Sequence, residues 1–360
     1  MEGYSKVCHG GDIYRNRVEQ DASINLNPLG MPEEVKKRLR DSIEHWDCYP
    51  DPECEQLRSA LAAFHKVPKT WIVCANGAAD LIFQAVQRIQ PKRALLLTPS
   101  FAEYRQALLR VSCAIETVKL QRSNDFQADI ETILAHITPG VDLFFLCNPN
   151  NPTGQACSKA DLVRIADRCE QTGTWLILDE CFCDLMEEPE AFTMVSELGT
   201  HRRLLILRAF TKTYAMAGLR LGYALSSEKT LLAGIAENRQ PWSVSVPAQE
   251  AGLAALLEAE YLYRARRMIG KERVWLSAQL KRLGFTVFDS KINFILFYAK
   301  EHEPRALLRA CLTRGILLRD CSNFDGLEPG YYRICVATPE KNQHLIQTLE
   351  EMVSGEEFSI

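Results

Sequence analysis

The chain has 360 residues, of which 47% are hydrophobic and 24% charged, a balance that suits a large globular domain with a smaller companion and excludes a disordered chain. The 42 Lys and Arg against 46 Asp and Glu leave a net charge of -4 with neither sign gathered into a block, which excludes a nucleic-acid or membrane-surface footprint and points to a small-molecule partner. No apolar run approaches the roughly 18 residues of a membrane span, and Met1 to Gly10 are too polar for a signal peptide, so a cytoplasmic protein is expected.

Residues 1–45 carry no strong strand pattern and read as an N-terminal arm packing with a small second domain. From Thr70 onward, apolar runs alternate with amphipathic stretches: TWIVCA (70–75) then AADLIFQAVQRI (78–89), ALLLTP (94–99) then FAEYRQALLRV (101–111), and DLFFLC (142–147) then SKADLVRIADRCEQ (158–171). TWLILD (174–179) and LLILRAF (204–210) follow. The runs are apolar at nearly every position, as strands buried on both faces must be, and predict an α/β domain over residues 46–245 with helices on both sides of its sheet. One long helical pattern runs from Pro247 to about Leu283. FTVFDS (285–290), INFILFYA (292–299), a helix from about Pro304 to Arg314, GILLRDC (315–321), YYRICVA (331–337) and a last helix from Pro339 predict a smaller α+β domain within residues 246–360. The 13 cysteines are scattered and form no CxxC pair, and Cys181 and Cys183 alone do not make a metal site, so reduced thiols and no metal are expected.

Chemistry gathers where strands end. Lys212 follows LLILRAF; Thr211 sets a hydroxyl beside it, and Arg220, on a returning strand, can clamp a phosphate with its fork. A lysine beside such a cation and shielded from water has a lowered pKa and serves as a nucleophile. Asp179 ends TWLILD, at the strand edge where open α/β sheets bind ligands. CNPNNPTG (147–154) leaves another strand through a turn set by Pro and Gly and presents the Asn151 amide. Gly77, Ala78 and Ala79 start a helix directly after a strand, where free N–H groups hold phosphate.

Together with Tyr104 in FAEY and Arg333 in YYRI, these residues stand in the order seen in fold-type I pyridoxal 5'-phosphate (PLP) enzymes of the aminotransferase class I/II group, which the chain resembles from Asn76 to Arg333. The resemblance implies a mostly parallel seven-stranded sheet in the large domain and PLP held by Lys212 as a Schiff base. It further implies Tyr104 stacked on the cofactor ring, Asn151 donating to the phenolate oxygen, Asp179 paired with the pyridine nitrogen, and Gly77, Ala78, Ala79, Thr211 and Arg220 around the cofactor phosphate. Arg333 would bind the substrate carboxylate. Tyr49, in YPDP, would reach the cofactor phosphate of a neighbouring subunit, which implies a homodimer.

Two branches of the group handle phosphorylated amino compounds: histidinol-phosphate aminotransferases, and L-threonine-O-3-phosphate decarboxylases, whose product (R)-1-aminopropan-2-yl phosphate enters cobalamin biosynthesis. HGGDIY (9–14), SINLNPLGMP (23–32) and LLRDCSNFDGLEPGYYRI (317–334) resemble the decarboxylase branch. So does Phe182, three residues after Asp179, where most of the aminotransferases carry a tyrosine. An amino-acid phosphate presents two anionic groups and needs at least two cationic forks with neutral donors beside them. Arg319 and Arg333 can supply the forks; His9, the Gly10 and Gly11 N–H groups, Asn25 and Asn151 can supply the donors. Decarboxylation is the expected reaction and transamination the alternative, since the two differ only in which bond at the substrate Cα the anchors set perpendicular to the cofactor ring.

Overall fold

The computed structural model describes residues 9–300, 303 and 305–354, so the first eight residues of the polar N-terminus and Pro304 lie outside it. After a two-residue strand at Gln20–Asp21 (β1), the apolar runs become Ile72–Ala75 (β2), Arg93–Thr98 (β3), Ala114–Lys119 (β4), Leu143–Cys147 (β5), Trp175–Asp179 (β6), Leu204–Ala209 (β7) and Gly222–Leu225 (β8). These seven form one sheet in the order β2-β8-β7-β6-β5-β3-β4. The pairings among β3 to β7 are parallel, and β8 runs antiparallel to both β2 and β7. Two of the seven were not foreseen as runs. β4 is an edge strand with a single buried side chain, Val118, and β8 is four residues long and starts on glycine.

Alternate residues of each inner strand feed two cores. Leu95, Phe144, Leu146, Leu176, Leu178, Leu204 and Ile206 face one side of the sheet, whereas Leu96, Phe145, Ile177, Leu205 and Leu207 face the other. Helices Glu33–Asp41 (α1), Glu55–His65 (α2), Ala78–Ile89 (α3), Ala102–Arg110 (α4), Ile130–His136 (α5), Lys159–Thr172 (α6), Phe210–Thr213 (α7) and Lys229–Asn238 (α8) connect the strands. α2 and α6 cover the first face; α3, α4 and α8 cover the second.

The long pattern after Pro247 is two helices, Val246–Ala255 (α9) and Ala259–Arg282 (α10), not one. Ala248, Ala251 and Ala255 of α9 pack on the large sheet; α10 starts on that same core through Tyr261 and Leu262 and reaches a second core farther along, through Leu276 and Leu280. The chain turns between them at Leu256–Glu258, where no Gly or Pro signals a break. The second core lies on an antiparallel sheet of Thr286–Val287 (β9), Phe294–Tyr298 (β10), Arg319–Asp320 (β12) and Tyr331–Cys335 (β13), in the order β12-β13-β10-β9. Ala306–Thr313 (α11) and Pro339–Ser354 (α12) pack on it, and Ile316–Leu317 (β11) pairs in parallel with β1 of the arm. The arm also sends α1 against α9. No helix among the described residues is long and apolar enough to cross a membrane.

Candidate active site

The parallel strands of the large sheet stop at one rim, and a cavity of about 260 Å³ opens there. β6 ends in Asp179; β5 ends in Cys147, directly beside it in register; β7 runs into the single turn of α7, which carries Thr211 and Lys212. From the opposite side the arm brings His9, Gly10 and Asn25, and the second sheet brings Arg319 and Arg333. Ala78, Ala79, Tyr104, Asn151 and Arg220 complete the lining among the expected residues. Elements from three stretches of the chain thus converge on one space.

The end of the cavity at α3 has the features of a phosphate cradle. Gly77 caps the helix with φ at +87° and no side-chain cap, so the first-turn N–H groups have no side chain folded over them. A Cβ at Gly77 would stand 2.6 Å from Arg220 Nη2, and one at Gly222 would stand 2.6 Å from the Ala78 nitrogen. Only glycines let the helix start, the β8 strand and the guanidinium come this close. Ala78 and Ala79 offer no hydroxyl, so backbone N–H groups, Thr211 and Arg220 are the groups that could hold a phosphate here.

At the other end, buried Asp179 accepts from the Cys181 N–H at 3.0 Å and from the Tyr104 hydroxyl at 2.6 Å. The resemblance implied a Tyr104 ring stacked on the cofactor. In the structure that ring is stacked on Phe145, with centroids 4.7 Å apart and planes at 11°, and is 1% exposed. Burial foremost, with the Asp179 charge, pushes its phenol far above the ordinary range, so Tyr104 remains a donor to the carboxylate.

Lys212 lies between the two ends. Burial depresses its pKa from 10.5 to about 8, and the charges of Arg333 and Arg220 act in the same direction against the opposing influence of Cys181. Its ammonium stands 5.9 Å from the Phe182 ring centroid. Arg333 is itself buried, and desolvation, with the nearby Arg319 charge, lowers it to about 10. Its guanidinium donates to Asn151 Oδ1 and to the Ser23 carbonyl. With the amide oxygen of Asn25 turned toward it, Asn25 accepts from all three guanidinium nitrogens at 3.1–3.2 Å. Because Asn151 spends its oxygen on Arg333, its NH2 is the group left to donate elsewhere.

Arg319 and Arg333 are direct cross-strand partners on β12 and β13. Arg319 donates to Asn323 Oδ1 at 2.8 Å and lies 5.1 Å from the Phe324 centroid. Gly11 and Tyr49 do not line the cavity. The Gly11 N–H, expected to face substrate, donates to Ser23 Oγ at 2.7 Å. Tyr49 is 80% exposed and packs on Trp242, 4.7 Å between centroids.

Several lining residues had no role assigned from sequence: Ser23, Ile24, Phe101, Cys147, Cys181, Asn323 and Phe324. Asn323 and Phe324 lie within the LLRDCSNFDGLEPGYYRI stretch, and that was the one available signal for them. The donor set fits PLP. A cradle that a Cβ would fill suits its phosphate, a buried carboxylate would suit its ring nitrogen, and a lysine with a depressed pKa lines the same cavity.

Residues 21–349 match the family described as Aminotransferase class I and II. The chain is 37% identical over 336 residues to threonine-phosphate decarboxylase of Salmonella typhimurium, covering 93% of this chain and 91% of that protein. Its fold matches the histidinol-phosphate aminotransferase of Clostridium acetobutylicum with a TM-score of 0.86 and 28% identity, over 93% of this chain and 99% of that one. L-threonine-O-3-phosphate decarboxylase of Porphyromonas gingivalis matches with a TM-score of 0.79 and 26% identity, over 90% and 96%.

Proposed function

The chain belongs to the class I and II aminotransferase family, and from that premise we propose that it is a PLP-dependent carbon-carbon lyase. It decarboxylates L-threonine O-3-phosphate to (R)-1-aminopropan-2-yl phosphate, a step in cobalamin biosynthesis. The observation that carries this reading is the Arg319–Arg333 pair. Like charges directly opposite on adjacent strands destabilise a sheet, and both guanidinium groups are buried. A substrate with two anionic groups, a carboxylate and a phosphate, offsets that cost.

When bound, PLP supplies a conjugated ring that accepts the electron pair of a bond broken at the substrate Cα. The chain's own residues do the rest. The Gly77, Ala78 and Ala79 backbone, Thr211 and Arg220 would hold the cofactor phosphate. Asp179, kept in place by Tyr104 and the Cys181 N–H, would keep a proton on the ring nitrogen, and the Asn151 NH2 would donate to the phenolate oxygen. Arg333 with Asn25 anchors the carboxylate, and Arg319 with His9 and Gly10 anchors the phosphate. Phe101, Phe182 and Phe324 wall the cavity with apolar surface and limit water around the reacting carbon. Lys212, near 8, is suited both to give up and to return a proton near neutral pH, and after loss of carbon dioxide it protonates Cα.

The enzyme works in the cytoplasm as a homodimer. The exposure of Tyr49 supports its donation to a second copy's cofactor phosphate. Residues 46–245, with α9 packed on their sheet, make the cofactor side, and the described parts of the 1–45 arm and of residues 256–360 make the substrate side. Transamination of histidinol phosphate or a related amino acid is the second reading, favoured by the fold match at a TM-score of 0.86. One experiment separates them: holoenzyme with threonine phosphate and no keto acid. Carbon dioxide release supports the lyase; amino transfer seen only after 2-oxoglutarate is added overturns it.

A further inference from the structure

Glu103, in the first turn of α4, points at the arm instead of at solvent. Its side chain is 11% exposed, and its Oε1 lies 2.9 Å from His9 Nε2. The second oxygen, Oε2, is buried and meets no hydrogen-bond partner. A carboxylate gains from the first turn of a helix while fully exposed, so the helix does not explain burying one oxygen without a donor, which is costly. The contact of Oε1 with His9 accounts for the inward turn of the side chain. It ties the arm to the helix whose neighbours Phe101, Ala102 and Tyr104 line the cavity. His9 lines the same cavity, next to Gly10, which lies so close to Ser23 that a Cβ there would stand 2.5 Å from the Ser23 carbonyl oxygen. Glu103 and Ser23 therefore pin the His9–Gly11 strap from two sides.

We propose that Glu103 is a positioning residue for the substrate phosphate: by accepting from Nε2–H it fixes the His9 imidazole at the cavity wall, where that ring meets the phosphate carried by Arg319. This rests on the phosphorylated-substrate reading above. Without the carboxylate the His9 ring loses the acceptor that orients its Nε2, and the phosphate loses an oriented partner.

Four proteins, loaded with PLP, test the inference: wild type, Glu103→Ala, His9→Ala and the double variant. Loss of one oriented hydrogen bond to a charged group predicts that Glu103→Ala raises KM for threonine phosphate about 10-fold, with kcat changed less than about twofold. Glu103→Gln, which keeps an oxygen acceptor in place, recovers most of the loss. In the His9→Ala background Glu103→Ala adds nothing, because the two act as one unit. Calorimetric titration with inorganic phosphate follows the same ranking and does not depend on which reaction occurs. If wild type releases no carbon dioxide, the proposed lyase function fails, and the phosphate titration alone decides the role of Glu103. An unchanged KM and phosphate affinity in Glu103→Ala overturns the inference, as does a full further loss on the His9→Ala background. Should Glu103→Ala not fold, Glu103→Leu, which fills the space without an acceptor, takes its place in the cycle.

Discussion

Replacing Lys212 by methionine is expected to stabilise the cofactor-free protein. In the folded chain the Lys212 pKa falls from 10.5 to about 8, because burial and then the Arg333 and Arg220 charges disfavour the ammonium. The folded state therefore binds fewer protons than the unfolded state between these two values. Keeping the ammonium in place costs about 3 kcal/mol, a cost fully present below about pH 8 that fades as the pH rises toward 10.5. Methionine keeps the length of the side chain without its charge. Lys212→Met should therefore unfold later than wild type in urea at about pH 7, by up to about 3 kcal/mol, and the gap should shrink to about 1 kcal/mol by about pH 10. Both proteins are stripped of PLP and compared at equal concentration, since bound cofactor and association would each add stability of their own. A variant no more stable than wild type near neutrality refutes the reasoning, as does a gap that ignores pH.

Three further substitutions probe the surroundings. Gly77→Ala places a Cβ 2.6 Å from Arg220 Nη2 at a φ of +87°; it should cost about 1 kcal/mol of stability and weaken PLP binding about tenfold or more, read by absorbance titration. Asp179→Asn should lower kcat about a hundredfold or more while Lys212 still captures the cofactor, so turnover falls in protein that keeps its visible absorbance. Arg208, on β7, is buried and donates to buried Glu180 Oε2 at 2.6 Å and to half-buried Asp184. Arg208→Met should cost about 3–5 kcal/mol in urea unfolding, because it leaves buried Glu180 without its counter-charge.

The inner strands of the large sheet were legible because each is buried on both faces and so reads as an unbroken apolar run. The same rule hid β4, whose edge position lets polar side chains face water, and β8, which is too short to form a run. The break between α9 and α10 left no local mark. Each half satisfies helical periodicity by itself, and the residues on both sides of the turn, Ala255 and Tyr261, are apolar and buried in the same core. The site residues borne by strand ends could be read for a related reason. A parallel sheet puts the C-terminal ends of its strands at one rim whatever the side chains are, so Asp179 and Lys212 were brought together by topology. Contacts fixed by side-chain geometry across the chain were not legible: the Tyr104 hydroxyl on Asp179, the Gly11 N–H on Ser23, and the Glu103 carboxylate on His9.

The charges around Lys212 also explain why so unfavourable a cluster is tolerated. Arg333 and Arg220 lower the lysine's hold on its proton in the empty site, which keeps part of the amine neutral and nucleophilic near neutral pH. An anion seated on Arg333 offsets the first of those charges, and a phosphate on Arg220 offsets the second. With both in place, burial alone holds the value down, so the amine binds a proton more readily than before. Lys212 would thus be partly neutral and nucleophilic before anions bind these two arginines and more fully protonated afterwards. In the proposed lyase that second state coincides with the moment at which Cα needs a proton.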